Sequence, residues 1–328
     1  MSRSSTLRFA LPLAGRLTHV GRHLKWVVRR VRGCCVMNHG QAEKSALRYF
    51  SKVGGTMDSS PRFLTALPVY NEHAHVNPVL DEVIRYAGDV LVVDDGSTDG
   101  TRELLAARSD IRTIRHETNR GYGAALKTAF EYAVQNQYDV LVTIDCDGQH
   151  TPQRICSLVA ACKEADFASG SRYLCTKEVA RQAPAERRQI NTQLTRELNE
   201  RLGLSITDSF CGFKAYRVPA LAKFTITEPG YGMPIEVWVQ AAYHRMRIVE
   251  VPVPLIYLDE TRSFGGSLDD GRKRMEYYHR VLDTAINIAE AQQKAGQLPG
   301  LQRVAGTDRV VNVSETTPKS DSSRCGCS

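Results

Sequence analysis

From Arg62 to Gly170 the chain alternates short apolar runs with stretches whose apolar positions recur at helical spacing. Phe63–Val69, Val90–Val93, Ile111–His116, Val140–Ile144 and Phe167–Ser169 read as strands. Between them Val76–Tyr86, a helix capped by Ser97 or Thr98 and ending about Arg108, Tyr122–Gln135 and Pro152–Lys163 read as helices. This rhythm predicts an α/β fold: a mostly parallel sheet with helices on both faces. Such sheets bind ligands beyond the carboxyl ends of their strands. Polar clusters fall at those ends, Tyr70-Asn71-Glu72, Asp94-Asp95-Gly96-Ser97 and Asp145-Cys146-Asp147.

The second half is less regular. It predicts a long polar helix near Ala185–Leu202, a turn at Asp208–Gly212, a helix near Ile235–Met246 and a strand at Ile248–Val253. A Gly-rich loop at Phe264–Gly266 precedes a final amphipathic helix, about Arg272–Gln292. Three parts are expected: an N-terminal arm over 1–57, a catalytic domain over 58–292, and a polar, disordered tail over 293–328.

Charge separates the arm from the rest. Residues 1–33 hold eight Arg or Lys and no acid, so a formal charge of +7 for the chain leaves −1 for the remainder. Nucleic-acid binding therefore has no support outside the arm, and no nucleic-acid partner is expected. Leu13, Leu17, Val20, Leu24, Val27 and Val31 recur at helical spacing, which suits a basic helix on an anionic membrane surface. A transit peptide, or translation starting at Met37 or Met57, are alternatives. No run of 18 apolar residues is present, so no spanning helix is expected. Nine scattered cysteines without a Cys-X-X-Cys pair fit a reducing cytoplasm, with Cys156 and Cys162 as core residues.

The stretch VLVTIDCDGQH, residues 140–150, ends a strand in two carboxylates one residue apart. A solvated turn and a divalent-metal site both account for that spacing. A dinucleotide Gly-X-Gly-X-X-Gly would have to follow the first strand, where Pro68-Val-Tyr-Asn-Glu-His73 stands instead. A P-loop is absent, and no His/Cys set suggests zinc.

Ala66-Leu-Pro-Val-Tyr-Asn-Glu72, Val92-Val-Asp-Asp-Gly-Ser-Thr-Asp-Gly-Thr101 and Asn119-Arg-Gly-Tyr-Gly123 together resemble family 2 GT-A glycosyltransferases. Asp145-Cys-Asp-Gly-Gln-His-Thr-Pro152, Gly170-Ser-Arg-Tyr173, Asp208–Arg217 and Arg262-Ser-Phe-Gly-Gly-Ser267 are similar to its dolichol-phosphate (polyprenyl-phosphate) mannosyltransferase branch, over about residues 62–285. The resemblance implies a GT-A fold, a Rossmann-like nucleotide-binding sheet with an acceptor-side C-terminal half. It also implies an inverting hexosyltransferase, first of all mannosyl, using a nucleotide-diphosphate sugar and a lipid-phosphate acceptor.

On that resemblance Pro68, Tyr70 and Glu72 line the nucleotide pocket, with Val93 and Asp95 on base and ribose. Asp145, Asp147 and Gln149 hold Mg2+ or Mn2+. Arg172 and Arg262 neutralise phosphates and, with Asp147, carry catalysis, while Cys146 and Ser267 border the donor. The alternative for Glu72 and Asp94 is capping, and for either Arg a salt bridge. Arg188 is a weaker phosphate candidate.

The chain also departs from the branch. Leu268 stands where the branch has Lys, Cys146 where it has a small residue, and Met233-Pro-Ile-Glu236 replaces aromatic-Gln-Ile/Leu-Glu. These departures keep two alternatives open, a family 2 transferase with another donor (UDP-glucose) or a non-lipid acceptor, and an inactive nucleotide-binding relative. A lipid acceptor implies peripheral contact at the cytoplasmic membrane face, through the arm or through Met275, Tyr278, Leu282 and Ala285 of the final helix.

Overall fold

The computed structural model describes residues 60–174, 184–256 and 265–302, with the backbone of two short strands near the N-terminus. The chain divides into two compact units, Met1–Asp58 and Ser59–Ser328. In the first, β1 (Arg29–Val31) pairs antiparallel with β2 (Cys34–Val36). This corrects the helix expected through Val31. The β-branched Val31 and Val36 favour extended strands over a last helical turn. The rest of that expected helix, from Leu13, lies outside the described residues.

The second unit is built on a seven-stranded sheet. Its strands are β3 (Phe63–Val69), β4 (Asp89–Asp94), β5 (Arg112–Arg115), β6 (Val140–Thr143), β7 (Phe167–Ser171), β8 (Lys214–Arg217) and β9 (Ile248–Pro252). They lie in the order β5-β4-β3-β6-β8-β7-β9, and all neighbours are parallel except those of β8, which runs against both β6 and β7. The helices are α1 (Val76–Val83), α2 (Thr101–Ala106), α3 (Tyr122–Gln135), α4 (Ile155–Ala161), α5 (Ala185–Leu202), α6 (Val218–Leu221), α7 (Met233–Tyr243) and α8 (Gly271–Lys294).

Alternation along the strands sends side chains to two separate cores. Leu64, Ala66, Leu91 and Val93 pack with α3, α5, α7 and α8, while Leu67, Val69, Val90 and Val92 pack with α1 and α4. Both faces are covered, which is why the central strands are apolar throughout. The α/β, mostly parallel architecture of the GT-A expectation is therefore the observed one.

Several expectations need correction. Strand β8 was not predicted, because Lys-Ala-Tyr-Arg carries no apolar alternation. Lys214 is buried, with Nζ donating to Ser169 Oγ at 3.1 Å and to the Cys211 carbonyl, and it lies 5.1 Å from the Trp238 ring centroid. Burial lowers its pKa.

Neither Ser97 nor Thr98 caps α2. Gly100 holds the cap position at φ 90°, and the Thr101 amide donates to Asp99 Oδ1 at 3.0 Å. Pro152 opens a 3-10 turn, Pro152–Arg154, rather than α4 itself. The chain beyond 292 continues in α8 to Lys294, and Arg245 then donates to the Pro299 and Gly300 carbonyls, both at 2.9 Å. Tail residues from 303 lie outside the described residues. On α8 the face of Tyr278, Leu282 and Ala285 is buried, with Met275 packed beside it. That face closes the core and is not available for a membrane.

The turn 228–232 seats on the start of α3. A Cβ on Gly123 would overlap the Glu228 carbonyl and stand 2.8 Å from Met233 Cβ. Neither backbone nor α7 can yield, so Gly123→Ala should lower stability by about 1–3 kcal/mol through overpacking. The midpoint of a urea melt, read at constant slope, checks this.

Candidate functional site

The three polar clusters meet. Strands β4, β3 and β6 are adjacent and parallel, with Val69 opposite Asp94 and Ala66 opposite Thr143. Their carboxyl ends therefore deliver Tyr70 to Glu72, Asp94 to Asp99, and Asp145 to Gln149 to one edge. Asn71 joins the first two loops. Its amide donates to Ser97 Oγ at 2.9 Å, and its Oδ1 accepts from the Thr98 amide at 2.8 Å. Asp94 closes its own loop by accepting from the Ser97 amide at 2.9 Å, and it lies 3.5 Å from Arg115.

Asp95 is buried and holds a turn. Oδ1 accepts from the Arg120 amide at 2.9 Å and lies 2.6 Å from His116 Nδ1, and Oδ2 accepts from the Gly121 amide at 2.7 Å. The turn delivers Tyr122, whose hydroxyl donates to Asp145 Oδ1 at 3.0 Å. Burial, followed by the charge of Asp145 and then of Asp147, pushes the Tyr122 pKa well up, so it stays a donor.

Asp145 Oδ2 also lies 3.2 Å from His150 Nε2. A Cβ on Gly212 would overlap this carboxylate and come within 2.7 Å of its Cγ, so only glycine leaves Asp145 its place. Asp147 is half-buried, with Oδ1 accepting from the Gln149 amide at 3.0 Å.

The other residues implied by the resemblance are spread more widely. Tyr70 is exposed at this edge and Pro68 is half-buried beside Val93. Val93 and Cys146 are buried in the two cores, at 0% and 2% exposure, so neither side chain reaches the surface of this edge. Glu72 is buried, with Oε2 at 3.2 Å from His75 Nδ1, and its amide donates to Thr101 Oγ1 at 3.0 Å.

The Arg172 guanidinium grips Asp208 with both prongs, Nε to Oδ2 at 2.7 Å and Nη2 to Oδ1 at 2.9 Å. Its Nη1 makes no bond to another described residue. Arg262 lies outside the described residues. Ser267 is exposed on a 3-10 turn, Gly266–Asp269, and Arg188 is half-buried on α5.

Tyr122, His116, His150, Asp208 and Gly212 were given no role by sequence reasoning. The signal was present for all but His116, because they stand inside the motifs that carry the resemblance. Among the described residues no group of three or more His, Cys, Asp or Glu is placed to hold a metal ion. A hard cation bound to a diphosphate requires only one or two protein carboxylates. Among the described residues no helix is long and apolar enough to cross a membrane.

Residues 65–225 match the glycosyl transferase family 2 domain. An undecaprenyl-phosphate mannosyltransferase of Micrococcus luteus is 33% identical over 217 residues, covering 62% of this chain and 88% of that protein. A polyprenol monophosphomannose synthase of Mycolicibacterium smegmatis is 34% identical over 242 residues, covering 70% and 89%. A UDP-N-acetylglucosamine–dolichyl-phosphate N-acetylglucosaminyltransferase of Methanococcus voltae is 26% identical over 247 residues, covering 66% and 93%. The chain belongs to glycosyl transferase family 2 and is a glycosyltransferase.

The Arg172–Asp208 pair yields a stability prediction. Burial alone would raise the Asp208 pKa, but the charge and hydrogen bonds of Arg172 outweigh it and hold the carboxyl below its ordinary range. A depressed carboxylate contributes stability that is complete above its unfolded pKa near 4 and is lost as pH falls through the folded value. Asp208→Asn should cost about 3 kcal/mol at pH 7, since it strands a guanidinium that is only 18% exposed. The gap from the parent protein should narrow below pH 4. Denaturant melts of both proteins between pH 7 and pH 3 check it.

Proposed function

We propose that the protein transfers a hexose, mannose from GDP-mannose as the first candidate, onto the phosphate of a polyprenyl or dolichyl lipid, with inversion and with Mg2+ or Mn2+. One observation carries the reading. Asp145 and Asp147 lie past the end of β6, on the edge where β3 and β4 deliver Tyr70, Glu72 and Asp95. The choice of mannose and of a lipid phosphate follows the two bacterial relatives above.

The residues fit a hard cation. Asp145, Asp147 and Gln149 are all partly exposed, and their oxygens are the ligands such ions take together with substrate phosphates. When bound there, the ion would supply positive charge to the leaving diphosphate. Tyr122 and His150 would fix Asp145 in orientation, the task of outer-shell partners.

The acceptor phosphate is already anionic, so no strong general base is needed. Its oxygen bonds to the anomeric carbon as the bond to the donor's β-phosphate oxygen breaks, and the nucleoside diphosphate leaves with the electron pair. Catalysis then rests on positioning and charge stabilisation. Arg172 Nη1 and Arg262 would meet phosphate oxygens, Ser267 and the backbone of Cys146 would border the donor, and Pro68, Tyr70, Glu72, Val93 and Asp95 would enclose the nucleoside.

The test is a panel of GDP- and UDP-sugars with a short polyprenyl phosphate, with Mn2+ or with chelator. Transfer from GDP-mannose that stops on chelation is expected. Transfer from a UDP-sugar alone would replace the donor, and turnover undiminished by chelation would remove the metal. Asp145→Asn and Asp147→Asn should each lower transfer at least about a hundredfold, a loss of several kcal/mol of transition-state stabilisation. Folding should be kept, as read by circular dichroism.

The reading also requires the protein to reach a lipid phosphate at a membrane surface, on the cytoplasmic face. With the α8 face buried, the basic arm is the candidate, at about 1 kcal/mol per Lys or Arg near an anionic surface. The full chain should co-sediment with anionic vesicles at low salt and be released at high salt. A version beginning at Met57 should bind them at least about tenfold less while keeping activity on a detergent-solubilised acceptor.

A further inference from the structure

A pocket of about 630 Å3 opens where the 3-10 turn Gly266–Asp269 meets α8 and the turn 228–232. Tyr231, Ser267, Leu268, Lys273, Tyr277 and Arg280 are among its walls. Lys273 and Arg280 are seven residues apart on α8, two turns, so they share one stripe about 10 Å long. Both are exposed, and neither side chain forms an ion pair with a described residue.

Two carboxylates share this pocket. Glu228 is committed, since its Oε1 accepts from Tyr277 Oη at 2.5 Å and from the Gly230 amide at 2.7 Å. Glu276 is exposed and one turn from Arg280, yet no ion pair joins them. Cations therefore outnumber uncommitted carboxylates in the lining. The pocket adjoins the carboxylate edge, because Tyr231 stacks on Tyr122 with ring centroids 5.7 Å apart, and Tyr122 bonds Asp145.

Leu268 lines this same pocket and adds no charge to it. We propose that Lys273, assisted by Arg280, supplies phosphate-binding charge here, making this pocket a phosphate subsite. The inference rests on the transferase reading above. The shared chemistry is a phosphate group, from the donor's diphosphate or from the acceptor's monoester. Tyr231, Leu268 and Tyr277 add apolar wall beside the cations, which suits a phosphate attached to a hydrocarbon chain.

The experiment uses the full chain and its Lys273→Met, Arg280→Met, Leu268→Lys and Leu268→Lys/Lys273→Met variants. Calorimetry measures binding of GDP with Mn2+ in one arm and of a short isoprenyl monophosphate in the other. Lys273→Met should weaken one ligand about tenfold and Arg280→Met should weaken the same ligand less, as expected for charge-assisted contacts. The weakened arm identifies the source of the phosphate. Leu268→Lys should restore most of the loss in the Lys273→Met background, an exchange that a merely structural lysine would not permit. Unchanged binding of both ligands by Lys273→Met, or no recovery in the double variant, overturns the proposal while leaving the transferase reading intact. Failure of the parent protein to bind either ligand overturns both.

Discussion

Anionic side chains gathered at a sheet edge must be held by donors, and in this protein one turn supplies them for two strands. The amides of Arg120 and Gly121 hold Asp95 at the end of β4, and the next residue, Tyr122, holds Asp145 past the end of β6. A buried carboxylate without such partners would be costly enough to disturb the loops around it. The turn is held in its own right by the close seat of residues 228–232 on Gly121 and Gly123. Those residues are tied in turn by Glu236, which accepts from the amides of Thr227 and Glu228 at 3.0 and 2.9 Å.

The same device recurs in the C-terminal half. Glu250 on β9 accepts from the Thr207 and Asp208 amides, and Asp208 takes the Arg172 fork. Lys214 brings a further charge into this interior from the reversed strand β8. Burial raises the Glu250 pKa and lowers that of Lys214, both in the direction that disfavours charge. Ion pairs so placed contribute little net stability but fix one arrangement of the chain. Here that arrangement sets Gly212 against Asp145.

The helix–strand rhythm of residues 62–170 was legible because the central strands β3, β4 and β6 are apolar on both faces and the helices between carry an apolar stripe. Tyr122–Gln135 was read to the residue, and the helix expected near Ala185–Leu202 stands there. Strand β8 was not, since its identity comes from the gap between β6 and β7 rather than from its own four residues. Likewise Asp145 and Asp147 announce themselves as two charges ending an apolar run. The donors that orient Asp145 stand 23 residues upstream and five downstream, and Arg172 finds Asp208 across 36 residues. Such pairings belong to topology, and no local pattern encodes them. Arg172 is the instructive case: a guanidinium beside a strand end suits a phosphate, but its fork has closed on a carboxylate inside the protein.

The central claim is that the carboxylate edge past β3, β4 and β6 is where a nucleotide diphosphate and a divalent ion bind together. Diffraction from crystals grown with GDP and Mn2+, with data collected at the manganese absorption edge, addresses it directly. The account predicts one strong anomalous peak within about 2.2 Å of oxygens from Asp145 or Asp147 and from the diphosphate, the usual reach of such ions. The Tyr122–Asp145 hydrogen bond should be intact. Nucleotide bound elsewhere, or a manganese peak away from both carboxylates, would contradict it.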